Sequence, residues 1–522
     1  MPPPPPRVVP SRTIMVKQLL LLCILSFVAV TRANAFVPVS PSGTSTITST
    51  ASTTSTITPT SLSRGGAAAA AAAAVRKQTV AGHRPPSPRR PPPHQTAAAA
   101  TDGAASPVGT GTATIPQEVF NLIKSIVGAG VLSLPYGVAA FGNAPSALIP
   151  ATLLIALMGA LSAYTFGLIG RVCQSTQTES YSDAWEAVLG RSAAWLIALS
   201  CVVDCFAGNL SYSMILADTV VHLAATAGLV ITRTTALCSV TAMVLLPLCF
   251  LKNLASLAPF SLVGIAGMLY TCLAMAVRYF GGAYAAPAGR FYATTALSTP
   301  VFGTLGWKGA LSARSLILTC MLSNAYIAHF NAPKFLRELK NNTMARFHQV
   351  IGWSFGVSIA LYCAMTAFGF LTFGAASNGL VLNNYAVQDT WASLSRIAVA
   401  ISITCSYPLI FVGTRDGVCD LLRIPQEQRM SGGLFTKLTL ALMAVITAMA
   451  SQLTDLGLVA SVGGATFGTA LVFVYPVVMF LKQQQKSGKK KTIETLPAAL
   501  IGVLGVAMGA IGTVLSFQGA EL

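Results

Sequence analysis

The chain has 522 residues, of which 53% are hydrophobic and only 9% charged, with a net charge of +18 and a mean hydropathy of +0.66. Soluble domains carry roughly 25% charged residues, so a soluble globular fold is excluded, and segments this apolar do not stay solvated as disordered chain. The composition is that of a polytopic membrane protein. The charge splits evenly: residues 1–117 hold ten Lys/Arg against the single acid Asp102, and the remainder holds 23 against 14. Because the basic surplus sits in a leader and in short loops between apolar runs, it speaks for membrane orientation and against nucleic acid as a partner. The eleven cysteines are mostly single residues within apolar runs, with no CxxC pair or Cys/His metal spacing, and read as packing residues.

At the N-terminus, Lys17 precedes an apolar run from Leu19 to Val30 and then Ala33-Asn34-Ala35. This is the charged start, hydrophobic core and small-residue site of a signal peptide over residues 1–35, with Met15 as an alternative start. At about 12 residues the run is too short for a bilayer core that needs about 20. Residues 36–117 are rich in Ser, Thr, Ala and Pro, with basic residues at Arg64, Arg76, Lys77, Arg84, Arg89 and Arg90, a transit-peptide composition expected to be disordered. The junction Ala35-Phe36 followed by this acid-poor stretch resembles the bipartite plastid-targeting presequence of algae with complex plastids, which implies a plastid envelope membrane. An ordinary signal peptide followed by a disordered, O-glycosylated stalk is the other reading, and would place the protein in the plasma membrane or vacuole.

From residue 118 apolar segments fall near 118–138, 146–170, 193–223, 234–251, 256–278, 312–333, 349–373, 392–413, 434–453, 457–481 and 494–518. Eleven transmembrane helices are expected, making residues 118–522 an all-α transmembrane domain. With the tail before the first helix placed inside, sixteen Lys/Arg fall in inside loops, among them Lys252 and the run Lys489, Lys490 and Lys491. Only Arg233, Arg278, Arg290 and Lys308 fall outside. That is a positive-inside bias. A plain cleaved signal peptide would leave the tail on the opposite side from these basic loops, whereas delivery into a plastid puts them together.

The first span reads NLIKSIVGAGVLSLPYG over residues 121–137. Gly128, Gly130 and Pro135 interrupt a segment that otherwise satisfies its backbone by regular helix, and such breakers are tolerated where freed amides and carbonyls line a cavity. Close packing against another helix is the alternative for Gly128 and Gly130. The whole pattern resembles the first helix of the amino acid/auxin permease family, which includes vesicular, vacuolar and system-A/N neutral amino acid transporters. The likeness continues through GNLSYSMILAD from Gly208, HFNAPKFLRELK from His329, the segment Ser395 to Gly417, and DLGLVASVGGATFGTALVFVYP from Asp455.

The resemblance implies a LeuT-like core of two inverted five-helix repeats, helices 1–5 and 6–10, plus one extra C-terminal helix. The substrate would sit at the midplane between unwound helices 1 and 6. An amino acid carboxylate suits the amides freed around Val127, Gly128, Ala129 and Gly130, at a half-helix N-terminus. Its ammonium suits carbonyls near Tyr326 to His329. Tyr212 and Phe330 are candidate readers of side-chain size, although aromatics in apolar helices commonly serve packing alone.

Polar groups inside spans cost about 2.5–3.5 kcal/mol at the helix centre and are usually paired or functional. Lys124 falls where sodium-coupled members of the resembling family have an Asn that helps hold the cation; its ammonium either replaces the ion or snorkels to the inner surface. Asn121, one turn earlier, is a possible polar partner. Thr404 and Ser406 sit where the resembling transporters place the hydroxyl ligand of that site, and also suit bonds to their own i−4 carbonyls. His329 is read as a proton acceptor or a satisfied structural His, and Asp204 as a proton carrier or an interhelical partner.

Secondary transport of small neutral amino acids by alternating access is the expected function, driven by a proton gradient or by exchange in preference to sodium. No bound cofactor or metal is implied. An amino acid sensor of the same fold would call for a long partner-binding tail where this chain has a transit-like leader. An intramembrane enzyme lacks support in the absence of HExxH, paired catalytic aspartates or a Ser/His constellation. Gly464-x-x-x-Gly468 and Gly505-x-x-x-Gly509 permit close helix contacts, within one molecule or between two; the oligomeric state is not legible.

Overall fold

The computed structural model describes residues 111–251, 260–294, 296–429, 431–488 and 494–519. The leader expected over 1–35 and 36–117 lies outside the described residues except for 111–117, and so do Lys252 and the run Lys489, Lys490 and Lys491.

Helix α1, Ile115–Ile126, begins with a capping box in which Thr114 and Gln117 satisfy each other's ends, and with Pro116 in the first turn. That is the arrangement by which a Ser/Thr–x–x–Gln start with an early proline disposes of orphan amides. The chain breaks at Val127 and Gly128, runs through a 3-10 turn at Ala129–Ser133, and continues as α2, Leu134–Phe141. The two halves are bent by 45°. Just before α1, Ala113 pairs with Leu339: its amide donates to the Glu338 carbonyl at 3.0 Å and its carbonyl accepts from the Lys340 amide at 2.8 Å.

Helix α3 covers Leu148–Thr176 and stops at Gln177, which takes a left-handed conformation. A short α4, Tyr181–Leu189, capped by Ser180, leads to the long α5, Ala194–Thr226. The next apolar stretch, Arg233–Cys249, is α6; it contains a π-helical turn at Thr241–Leu245 and is shorter than a full crossing. Helix α7 is Phe260–Phe280. The segment expected at 312–333 is divided: α8 covers Ser315–Ala325, Tyr326 to Ala328 are non-helical, and a 3-10 turn at His329–Asn331 enters α9, Ala332–Glu338. Helices α10, Met344–Phe373, α11, Thr390–Leu421, and α12, Gly432–Gln452, follow. Helix α13 runs from Leu456 to Lys486 through two π-helical turns, and α14 is Thr495–Gly519.

Among the described residues eight helices are long and apolar enough to cross a membrane, or nine if the bent α1 and α2 are one span. The forecast of eleven therefore meets two segments, at 234–251 and 312–333, whose helices are shorter than a crossing. Proline and glycine account for one break only; in α8 the helix stops at Tyr326 without either residue type at the stop. The architecture is mostly helical and polytopic, of membrane type.

Helix α10 packs on α1, α2, α3 and α7, and α11 packs on α5 and α7. Large apolar side chains at helical spacing, such as Ile149, Leu153 and Leu157 on α3, or Leu496, Leu500 and Leu504 on α14, stay exposed. A face of this kind suits lipid, which does not penalise it. Both glycine pairs are used inside the molecule. Gly464 lies against the Cys320 carbonyl of α8 with no room for a methyl group, while Gly505 and Gly509 face Phe473 and Ala465 of α13.

Candidate functional site

The site starts from the break in the first span. The Val127 amide donates to the Ile123 carbonyl at 2.7 Å and the Gly128 amide to the Ile126 carbonyl at 2.9 Å, which closes α1. Ala129 and Gly130 then head the 3-10 turn, where no preceding turn supplies their amides with acceptors. The second break lies alongside. Gly130 faces Ala325, the last residue of α8, so closely that a Cβ on Gly130 would sit 3.5 Å from the Ala325 Cα. The Asn331 side-chain Nδ2 donates to the Ser125 hydroxyl at 3.0 Å. Tyr362 of α10 brings its hydroxyl oxygen to 2.8 Å from the carbonyl oxygens of both Ile126 and Ala325.

Against the first break lies a cavity of about 50 Å³, space for about four waters. One wall is Lys124, Ser125, Val127, Gly128 and Ala129; the others are Tyr212 of α5, Gly264, Ile265 and Met268 of α7, and Val399, Ser402, Ile403 and Ser406 of α11. Among these residues Lys124 carries the only formal charge. It is half-buried, and a Cβ on Gly264 would lie 3.9 Å from its ammonium nitrogen and 2.6 Å from the Ser402 hydroxyl. The Tyr212 hydroxyl stands opposite Gly128, 3.5 Å from where a Cβ would be. A cation, backbone amides and hydroxyls thus converge on one small space.

The structure therefore gathers Lys124, Val127, Gly128, Ala129, Tyr212 and Ser406 around one cavity. Other candidates lie elsewhere. Gly130 packs on Ala325, Asn121 is exposed, and Thr404 is half-buried on α11 outside the lining. Tyr326 is fully buried with its hydroxyl donating to the Ile155 carbonyl at 3.2 Å. His329 is buried too: its Nε2 lies 3.0 Å from the Thr165 hydroxyl and 3.1 Å from the Ser162 carbonyl, and its ring meets Phe166 edge-on. Asp204, half-buried on α5, makes no hydrogen bond or ion pair among the described residues. Among the lining residues without prior notice are Ser125, Gly264 and Ser402. Ser402 was within reach of the sequence, since it precedes Ser406 by one helical turn and shares its face, whereas Thr404 points away from both.

Interrupted helices enclosing a polar space inside an apolar, polytopic fold define a membrane transporter class. The particular family is given by the sequence: residues 111–518 match the model of the transmembrane amino acid transporter protein family, and the chain belongs to that family. It is 25% identical over 411 residues to a Danio rerio protein provisionally named sodium-coupled neutral amino acid transporter 11, covering 78% of this chain and 86% of that one. It is 24% identical to amino acid transporter AVT6E of Arabidopsis thaliana, covering 79% and 84%. Vacuolar amino acid transporter 7 of Saccharomyces cerevisiae is 25% identical, with 60% of each chain covered. Among solved structures, Mhp1 in an inward-facing conformation aligns with 11% identity and a TM-score of 0.49 over 78% of this chain and 90% of that one. These relatives are named as transporters and not as enzymes.

Proposed function

We propose that this chain is a secondary active transporter that moves small neutral amino acids by alternating access, with coupling to protons or to exchange in preference to sodium. The observation that carries the reading is Lys124, whose ammonium lines the same cavity as the Val127–Ala129 break and the hydroxyls of Ser402 and Ser406. An ammonium held there supplies the positive charge that a sodium ion would bring to half-helix carbonyls, and the amides heading the second half of the helix favour a carboxylate. The size of the cavity and the closeness of Tyr212 to Gly128 favour a small side chain. The name of the Danio rerio relative speaks for neutral substrates, and its sodium coupling is where this chain, with Lys124 in the cavity, is read to differ.

In this reading the short α6 and the divided α8 and α9 are also spans, which gives eleven, arranged as two five-helix repeats with α14 added. The basic loops favour an inside N-terminal tail. The leader delivers the chain to a plastid envelope membrane. Uptake of radiolabelled alanine into proteoliposomes holding the purified chain, with imposed proton and sodium gradients in turn, tests the function. Accumulation driven by a proton gradient or by internal amino acid is expected, and absence of any uptake defeats the proposal.

A further inference from the structure

Tyr362 is where the two interruptions meet. It stands on α10, fully buried, and its ring packs against Tyr326 with centroids 4.8 Å apart, so its hydroxyl is held in place. The carbonyls it reaches, Ile126 and Ala325, belong to the last residues of α1 and α8. Each is a half-helix C-terminus, where the following turn supplies no regular donor and the helix dipole gathers partial negative charge. The Ile126 oxygen also receives the Gly128 amide at 2.9 Å. A phenolic hydroxyl has one proton to share between two acceptors, and this one lies at equal distance from both.

Carbonyls at the C-terminal ends of half-helices are the ligands with which interrupted-helix transporters hold a coupling cation. We propose that Tyr362 is a positioning residue that stands in for such a cation: its hydroxyl joins the ends of α1 and α8 without an ion, so transport needs no sodium at this point. The inference rests on the transport reading above. It is independent of Lys124, which reaches the cavity bounded by α7 and α11 and not the contact with α8.

A role in packing alone would make Tyr362→Phe equally weak in any salt. The discriminating experiment compares the full wild-type chain and Tyr362→Phe in sodium chloride and in choline chloride of equal ionic strength, by thermal unfolding in detergent and by alanine uptake in proteoliposomes. Wild type should unfold at the same temperature and take up alanine at the same rate in both salts. Tyr362→Phe removes the hydroxyl from both carbonyls, leaving Ile126 with the Gly128 amide alone; sodium should then raise its unfolding temperature by a few degrees, as binding to the folded state requires. Its uptake, down about tenfold in choline, should recover as sodium is added.

Equal behaviour of Tyr362→Phe in the two salts overturns the proposal, as does wild-type protein that sodium stabilises or stimulates. The unfolding comparison needs no transport, so a chain that carries no alanine defeats the proposed function while the salt response still decides Tyr362. Should Tyr362→Phe fail to fold, the wild-type comparison alone decides: sodium-specific stabilisation overturns the stand-in and its absence supports it.

Discussion

Arg278 and Asp389 form a forked ion pair in which Nε lies 3.0 and 2.9 Å from the two carboxylate oxygens and Nη2 lies 2.7 Å from Oδ1. It fastens the last turn of α7 to the N-cap of α11, the two helices that supply Gly264 and Ser402 to the cavity. The same carboxylate, wholly buried, accepts the amides of Trp391 and Ala392 and the Tyr284 hydroxyl. Removing one partner leaves a buried charge without compensation, which costs about 3–5 kcal/mol. Arg278→Ala, which strands the Asp389 carboxylate, should therefore lower the unfolding temperature sharply, and Tyr284→Phe should cost about 1 kcal/mol of stability, both read by thermal unfolding in detergent. Burial, then the Asp389 charge, holds the Tyr284 hydroxyl above its ordinary value of 10.0. A raised value means that its contribution is complete below pH 10 and is lost only as the pH climbs through the folded-state value.

Lys124 carries the coupling argument at the cavity. Lys124→Ala should abolish uptake, because it removes the one formal charge among the residues that line the cavity. Lys124→Asn should restore part of a cation site and bring sodium dependence. Uptake by the wild type that requires sodium, with Lys124→Ala unaffected, would show that the ammonium plays no part.

In the proposed transport, the pairing of Gly128 with Tyr212 would set the size limit. A methyl group on Gly128 would rest in ordinary contact with the Tyr212 hydroxyl, so Gly128→Ala should fold but shrink the cavity. Competition assays with glycine, alanine, valine and leucine should show the larger substrates losing about 10- to 200-fold per methylene of excess while glycine is spared. Tyr212→Ala should shift the preference the other way.

Gly464→Ala should be among the most damaging single-methyl additions. Its Cβ would enter the Cys320 carbonyl, and backbone cannot swing aside as a flexible side chain does. Overpacking of this kind costs about 1–3 kcal/mol, to be seen as a lower unfolding temperature in detergent-purified protein.

The leader makes a separate prediction. A fluorescent protein fused after residues 15–117 should label the plastid when expressed in an alga with a complex plastid, and Phe36→Ala should reroute it. Labelling of the plasma membrane or vacuole by the unmodified fusion would reject the plastid assignment.

The apolar runs and the break in the first span were legible because hydrophobicity and Gly128, Gly130 and Pro135 act locally. Resemblance places the break in the sixth segment near Tyr326 to His329, but the side chains there turn inward: the Tyr326 hydroxyl bonds Ile155, and His329 meets Thr165 and Ser162 of α3 through Nε2 while its Nδ1 has no partner among the described residues. Irregular backbone has no fixed period, so the sequence does not say which way its side chains point. On a regular helix it does, and Ser402 beside Ser406 follows from spacing alone. Tyr362 lay beyond such reasoning, since its partners come from two other helices more than thirty residues away.

The pairing of Ala113 with Leu339 gives the protein a built-in gauge of motion. Thr112 is exposed next to it, while Gly111 is pressed against the Glu338 carbonyl, so a probe attached at Thr112 travels with the exit of α9. Distances from that probe to one on a long, regular helix such as α3 would report displacement of the sixth segment's second half during turnover, with every residue of the cavity left as it is.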